Sequence, residues 1–188
     1  MKRSVEEGWQ RTGKALVSVR WVDTDKGVDG QVDARSTLVA SHFKGKEKED
    51  SISASTPPLE GLRMLCRRAA SVGKHSRSRK ASFMDARKAH LHLRCEEEVY
   101  IALAQEAGGG ESMCEKLQFW LYGMRPAASA WEELYAKRME GAGFIRGKRN
   151  SLVFYNRSRD LSVLVHGYDF VAVGEVDDIE WFKQMAVG

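Results

Sequence analysis

The stretch Leu161 to Gly174, LSVLVHGYDFVAVG, decides how the chain is read. Leu161 to Val165 and Phe170 to Val173 are short apolar runs containing β-branched residues, and each reads as a strand. His166 to Asp169 form the tip of the hairpin between them. This is also the longest apolar stretch in the chain. His166, Tyr168 and Asp169 interrupt it, and it is too short to span a bilayer. It belongs in a sheet.

The neighbouring segments supply the rest of that sheet and its cover. Ser151 to Tyr155 reads as a third strand, and Asp177 or Asp178 begins a terminal helix with Ile179, Trp181 and Phe182. Upstream, Ala127 to Gly141 is a strong helical pattern. Trp131, Leu134, Tyr135 and Met139 lie along one face, and Gly141 or Gly143 closes it. Cys114 to Leu121 is partly apolar without a deciding period, and its state stays open. Phe83 to Leu93 begins as a strand. Pro57-Pro58 opens a helix with Leu59, Leu62, Leu65 and Ala69 at helical spacing. Ala15 to Val22 and Val32 to Phe43 read as paired strands with Asp29-Gly30 in the turn, and Lys44 to Asp50 as a charged loop. The order β-β-α-β-α-β-β-β-α is an α+β pattern with a mostly antiparallel sheet backed by helices.

Composition sets bounds on function. The 188 residues suit about one domain, with enough apolar residues for a core. The 30 Lys and Arg against 26 Asp and Glu leave a net charge of +4, too mild to establish nucleic-acid binding by itself. Cys66, Cys95 and Cys114 are far apart and odd in number, which points to reduced thiols, not a disulfide framework. Met1-Lys2-Arg3 is followed by a polar segment where a secretory signal needs an apolar run. The expectation is a soluble intracellular protein without a membrane partner. Charge is uneven, however. Arg63, Arg67, Arg68, Lys74, Arg77, Arg79 and Lys80 begin a basic block that runs on to Arg94, with Asp85 its one acid. The block could track a phosphate backbone or form a solvated face beside a Ser/Arg loop over Ser71 to Ser82.

Four segments, taken together, resemble the reverse transcriptase of copia-type LTR retrotransposons. Arg20-Trp21-Val22 with Leu38-Val39-Ala40 is similar to R-W-V … R-L-V-A in that family. Met84-Asp85-Ala86-Arg87-Lys88-Ala89-His90 with Glu97-Glu98-Val99-Tyr100 is similar to M-D-V-x-x-A-F … E-E-V-Y. Leu121-Tyr122-Gly123-Met124-Arg125-Pro126-Ala127 with Trp131 is similar to L-Y-G-L-K-Q-A … W. Val165 to Phe170 with Gly174 is similar to the Y-V-D-D-M … G hairpin. The order is the family's own, from Arg20 to Gly174.

The resemblance implies a polymerase palm with a truncated fingers hairpin. It places the partial fingers in residues 1–58 and the palm in 59–188, as two parts or as one continuous domain, with the thumb and RNase H parts absent. It also implies RNA-directed DNA polymerase activity on an RNA or DNA template-primer with nucleotides. Such chemistry uses two Mg²⁺ ions about 3.5–4 Å apart, held by carboxylates. Asp85 matches the family's first metal-binding Asp and Asp169 the second of its hairpin pair. Tyr168 stands where the hairpin's first Asp is expected. A phenol with a pKa of about 10 is neutral at pH 7 and cannot bridge two ions. His90 occupies the place of a ring that packs against the nucleotide sugar, or is a strand histidine with no ligand. Arg35 could replace the lost basic groups at Thr37 and Ser41 in gripping phosphate. Tyr122 and Gly123 would lie beside the forming base pair, or Tyr122 is a packed aromatic. The expectation is a degenerate copy with weak or no activity, binding two Mg²⁺ if active and none if degenerate. The alternative is a non-catalytic palm-fold module that binds nucleic acid or protein.

Overall fold

The computed structural model describes residues 2–41, 57–73, 77–87, 89–102 and 113–187. The charged loop expected over Lys44 to Asp50 lies outside them. In chain order the elements are β1 (Lys2–Ser4), α1 (Val5–Thr12), β2 (Ser18–Asp25), β3 (Ala34–Ser41), α2 (Leu59–Ala69) and β4 (Lys80–Asp85). A 3-10 turn follows at Ala89–His92, then β5 (Tyr100–Ala102), β6 (Met113–Lys116), α3 (Arg125–Gly141), β7 (Phe144–Arg146), β8 (Val153–Asn156), β9 (Leu161–His166), β10 (Asp169–Gly174) and α4 (Val176–Val187).

The chain forms two compact units. One holds Met1–Ile52 and His90–Trp131, the other Ser53–Ala89 and Glu132–Gly188. The sequence reading draws one boundary after residue 58; these units interleave along the chain, and the last crossing falls inside α3.

In the first unit β2 and β3 form an antiparallel pair, and β1, β6 and β5 form a second small sheet. The segment Cys114 to Leu121, undecided from sequence, thus begins inside strand β6 (Met113–Lys116) and leaves it after Lys116. Helix α1 is absent from the sequence reading, although its signal is present. Ser4 caps the backbone N–H of Glu7, and the Glu7 carboxylate accepts from the Ser4 N–H in return. That reciprocal capping box satisfies two amides that the first turn would otherwise leave unpaired.

The second unit is built on an antiparallel sheet in the order β4-β10-β9-β8-β7. Central strand β9 is buried from Leu161 to Val165 because helices cover both its faces, hence its continuous apolar letters. On one face Leu65 and Ala69 of α2 pack with Val153, Leu164, Val171 and Val173. On the other, Tyr135 of α3 meets Phe154 and Phe170 edge-on at 6.0 and 5.8 Å, and Phe182 of α4 lies 5.8 Å from Phe144. The β4 strand is shorter than the Phe83 to Leu93 reading. It starts at Lys80 and stops at Asp85, opposite Asp169 where β10 begins; beyond that pair only Ala86 bonds across, to the Tyr168 carbonyl in the turn. Among the described residues no helix is long and apolar enough to cross a membrane.

A half-buried ion cluster ties α2, β4 and the β8–β9 turn together. Asp160 accepts from Arg68, from Arg79 and from the Tyr155 hydroxyl at 2.9 Å. Burial alone would raise the Asp160 carboxyl. The donors from Arg79, Tyr155 and Arg68 outweigh it and hold the group below the usual carboxylate range. The unfolded chain therefore takes up a proton at higher pH than the folded one. This contribution to stability is present above the unfolded pKa of about 3.9 and is lost as pH falls through the folded value.

Asp160 also sits at a φ of 48°, a backbone region that Asn tolerates. Asp160→Asn removes the charge without straining the turn and leaves two half-buried guanidiniums without their charged partner, at a cost of about 2 kcal/mol. Urea unfolding at pH 7 should show that loss, and the difference from the unmodified chain should shrink on acidification below about pH 4.

Candidate active site

The tip of the β9–β10 hairpin is a two-residue turn. Gly167 has a φ of 62°, and Tyr168 is not among the residues with positive φ. A positive φ at the first central residue alone is the type II′ pattern, whose twist matches the flanking strands, and it requires Gly at that position. The backbone carbonyl of Tyr168 accepts the Ala86 N–H at 2.9 Å. That bond makes Tyr168 and Ala86 a hydrogen-bonding site of the ladder. The next pair, Asp169 opposite Asp85, is therefore a non-hydrogen-bonded one. Such pairs have Cα atoms about 4.5 Å apart and side chains at their closest approach.

The two carboxylates thus project from the same face of neighbouring strands, and both residues are exposed. Neither is held by a salt bridge or hydrogen bond among the described residues. Like charges directly opposite each other destabilise a sheet. A hard divalent cation relieves that repulsion, and ionised carboxylates are the donors Mg²⁺ prefers. The pair therefore fits one such ion. It fits two poorly, because the Tyr168 phenol is neutral at pH 7 and supplies no charge, and burial pushes its pKa further up. His166 lies opposite Asp169 on the other side, completing an exposed row across β4, β10 and β9. Among the described residues, however, no three His, Cys, Asp or Glu side chains are placed to hold a metal ion.

The remaining candidates fall elsewhere. Arg35, Tyr122, Gly123 and His90 belong to the first unit, Asp85 and Asp169 to the second. The Arg35 guanidinium donates to Asp33 at 3.1 and 2.9 Å. Tyr122 is half-buried, and its carbonyl accepts the Ala40 N–H at 2.7 Å. Gly123 has a φ of 85°, and a Cβ there would overlap the Ala40 carbonyl oxygen. Leu38-Val39-Ala40 and Tyr122-Gly123, far apart in sequence, thus meet backbone to backbone. His90 lies in the 3-10 turn, not on a strand; its side chain is outside the described residues.

The basic block is not a uniformly free surface. Arg68 and Arg79 point into the Asp160 cluster, with side chains 24% and 10% exposed. Arg77 pairs with Asp177 at 3.5 Å and with Glu175 at 4.0 Å. Lys74 lies outside the described residues. Arg63, Arg67 and Lys80 are exposed. Asp160, absent from the sequence reading, is the residue that removes two arginines from this surface; a lone Asp in a polar turn carries no signal for that role.

A protein-family model described as Reverse transcriptase (RNA-dependent DNA polymerase) matches residues 10–187. No curated protein matches the chain significantly.

The opposed carboxylates make a prediction that needs no enzyme assay. Asp85→Asn or Asp169→Asn removes the repulsion and should raise the thermal midpoint by a few degrees at most. Millimolar Mg²⁺ should raise the midpoint of the unmodified chain and leave both variants unchanged. Calorimetric scans with and without the ion check both statements.

Proposed function

The chain belongs to the reverse transcriptase family, and on that premise we propose that it is the palm and fingers part of a copia-type enzyme whose nucleotidyl transfer is weak or lost. The single observation that supports this most is the Asp85–Asp169 pair. It is the cross-strand juxtaposition that metal-assisted phosphoryl transfer needs, and it comes from two motifs more than eighty residues apart. The copia assignment rests on the four motif segments and their order. Palm corresponds to the sheet that bears the carboxylates, and fingers to the β2–β3 pair.

Asp85 and Asp169 would hold the divalent cation. When bound, such an ion polarises the attacking hydroxyl and neutralises charge on the phosphoryl oxygens. The chain's own part is positional. The Ala86 N–H to Tyr168 carbonyl bond fixes the hairpin tip against β4, so neither carboxylate can drift from the other. Tyr168 supplies a backbone acceptor there and no charge, which leaves the site one carboxylate short of the family's set. The partners are a template-primer of RNA and DNA with nucleotides. Arg35, His90, Tyr122 and Gly123 remain the proposed nucleotide contacts.

The alternative, a non-catalytic palm-fold module binding nucleic acid or protein, is favoured by the neutral phenol at Tyr168. Primer extension on an RNA template with Mg²⁺ or Mn²⁺ separates the two. Loss of a single preorganised transition-state contact costs about 10²–10³ in rate, so activity at least that far below an intact relative is expected. Tyr168→Asp restores the missing carboxylate in a turn whose strained position belongs to Gly167. It should bind Mg²⁺ more tightly than the unmodified chain in a calorimetric titration. Equal, negligible binding by both would remove the site assignment.

Nucleic-acid binding should be sequence-independent and salt-sensitive. With Arg68 and Arg79 committed to Asp160, the exposed Arg63, Arg67 and Lys80 neutralise about three phosphates. At about 0.9 each on duplex, the log–log salt slope should be roughly −3. Anisotropy titrations across salt concentrations measure it; a flat profile would make these residues a solvated surface.

A further inference from the structure

On the same sheet face as the carboxylate pair, one residue before Met84, lies Phe83, and it is 76% exposed. That is unusual for a phenylalanine inside a strand. Its neighbours Ser82 and Met84 point to the opposite face and are half-buried. Across the ladder Phe83 faces Val171, which packs into the Leu65 cluster, so the apolar surface runs out from beneath α2 and ends at an open ring. The β4 strand is the edge of the five-stranded sheet, so among the described residues no further strand of that sheet flanks the ring. Among the described residues of the second unit, nothing in the packing requires an aromatic side chain at this place.

Its position relative to Asp85 suggests a use. Two residues along a strand span about 6.8 Å and return to the same face. Stacked nucleotides advance about 3.4 Å each. A strand whose backbone is held through a cation at Asp85 and Asp169 therefore has a base within reach of the Phe83 ring. Every base has a π-face, and stacking on an aromatic is sequence-tolerant. We propose that Phe83 is a stacking platform for an unpaired base of a nucleic-acid strand bound at the Asp85–Asp169 site. The inference rests on the family reading of that site and adds a residue the motifs do not mark. A ring beside two carboxylates suits a nucleic acid better than an apolar protein surface. The carboxylates would have to be desolvated under a protein, whereas a cation joins them to phosphate.

The test uses the whole chain and two fluorescein-labelled probes. One is an oligomer of about ten thymidylates, the other the same sugar-phosphate backbone without bases. Anisotropy is measured with Mg²⁺ present. Phe83→Ala should weaken binding of the thymidylate strand by roughly 5- to 150-fold and leave the abasic strand unchanged. Phe83→Trp should bind the thymidylate strand as the unmodified chain does, with its added indole emission quenched. Because the ring is exposed, circular dichroism should show both variants folded. Equal affinity of Phe83→Ala and the unmodified chain for the thymidylate strand overturns the inference and leaves the cation-site reading standing. An unmodified chain that binds neither probe overturns both. Should sedimentation show the unmodified chain as a dimer and Phe83→Ala as a monomer, a second copy covers the ring, and the inference is again overturned.

Discussion

The register of β10 against β4 is the constraint on which the candidate site depends. A slip of one residue would turn Asp169 to the face occupied by α3 and α4 and bring Phe170 out toward solvent. Two things fix the register. Phe170, Val165 and Val163 fill one face of the sheet and Val173 and Leu164 the other, so the strand has no alternative pattern that keeps its apolar residues covered. At the tip, the type II′ turn at Gly167 and the Ala86 to Tyr168 bond set the last rung of the ladder. Burial chooses the face and the turn chooses the rung. The opposed carboxylates follow from both, against their own repulsion.

Charge in the second unit is divided by burial. The basic letters between Arg63 and Lys80 look like one block, but they serve three ends. Arg68 and Arg79 converge on Asp160 inside the unit, where their Nε atoms have no hydrogen-bond partner among the described residues. Arg77 reaches acids at the start of α4, and Arg63 and Arg67 stay on the exposed side of α2. The Asp160 cluster therefore holds α2 over the sheet while reducing the free positive surface. A half-buried cluster of this kind is costly to break but is weak proof of net stability, since its charges were partly desolvated to make it. Its clearest contribution is positional.

Local rules read from the letters located most of the second unit. The apolar runs at β9 and β10, the helical period of α2 and the aromatic face of α3 all declared their states, because each element's own burial imposes its period. The elements that escaped were short or polar. Helix α1 has a polar sequence and is marked only by Ser4 and Glu7, and β5 and β7 are three residues each. The length of β4 was also hidden, since a strand ends where its partner does and not where its own letters change.

For the site, the sequence by itself placed Asp85 and Asp169 in segments that resemble the metal-binding motifs of a polymerase, with a phenol at Tyr168 where that resemblance implies a carboxylate. Those are chemical identities, and they need no coordinates. Only the tertiary structure decided that Asp85 and Asp169 are opposite one another at a close, non-hydrogen-bonded rung. It alone decided that Arg68 and Arg79 are unavailable to a phosphate backbone, and that Phe83 is left uncovered beside the carboxylates. Each of these depends on which residue from a distant segment lies across the ladder or beneath the helix. Such pairings are set by the competition of all apolar faces for cover, and no window of sequence contains that competition.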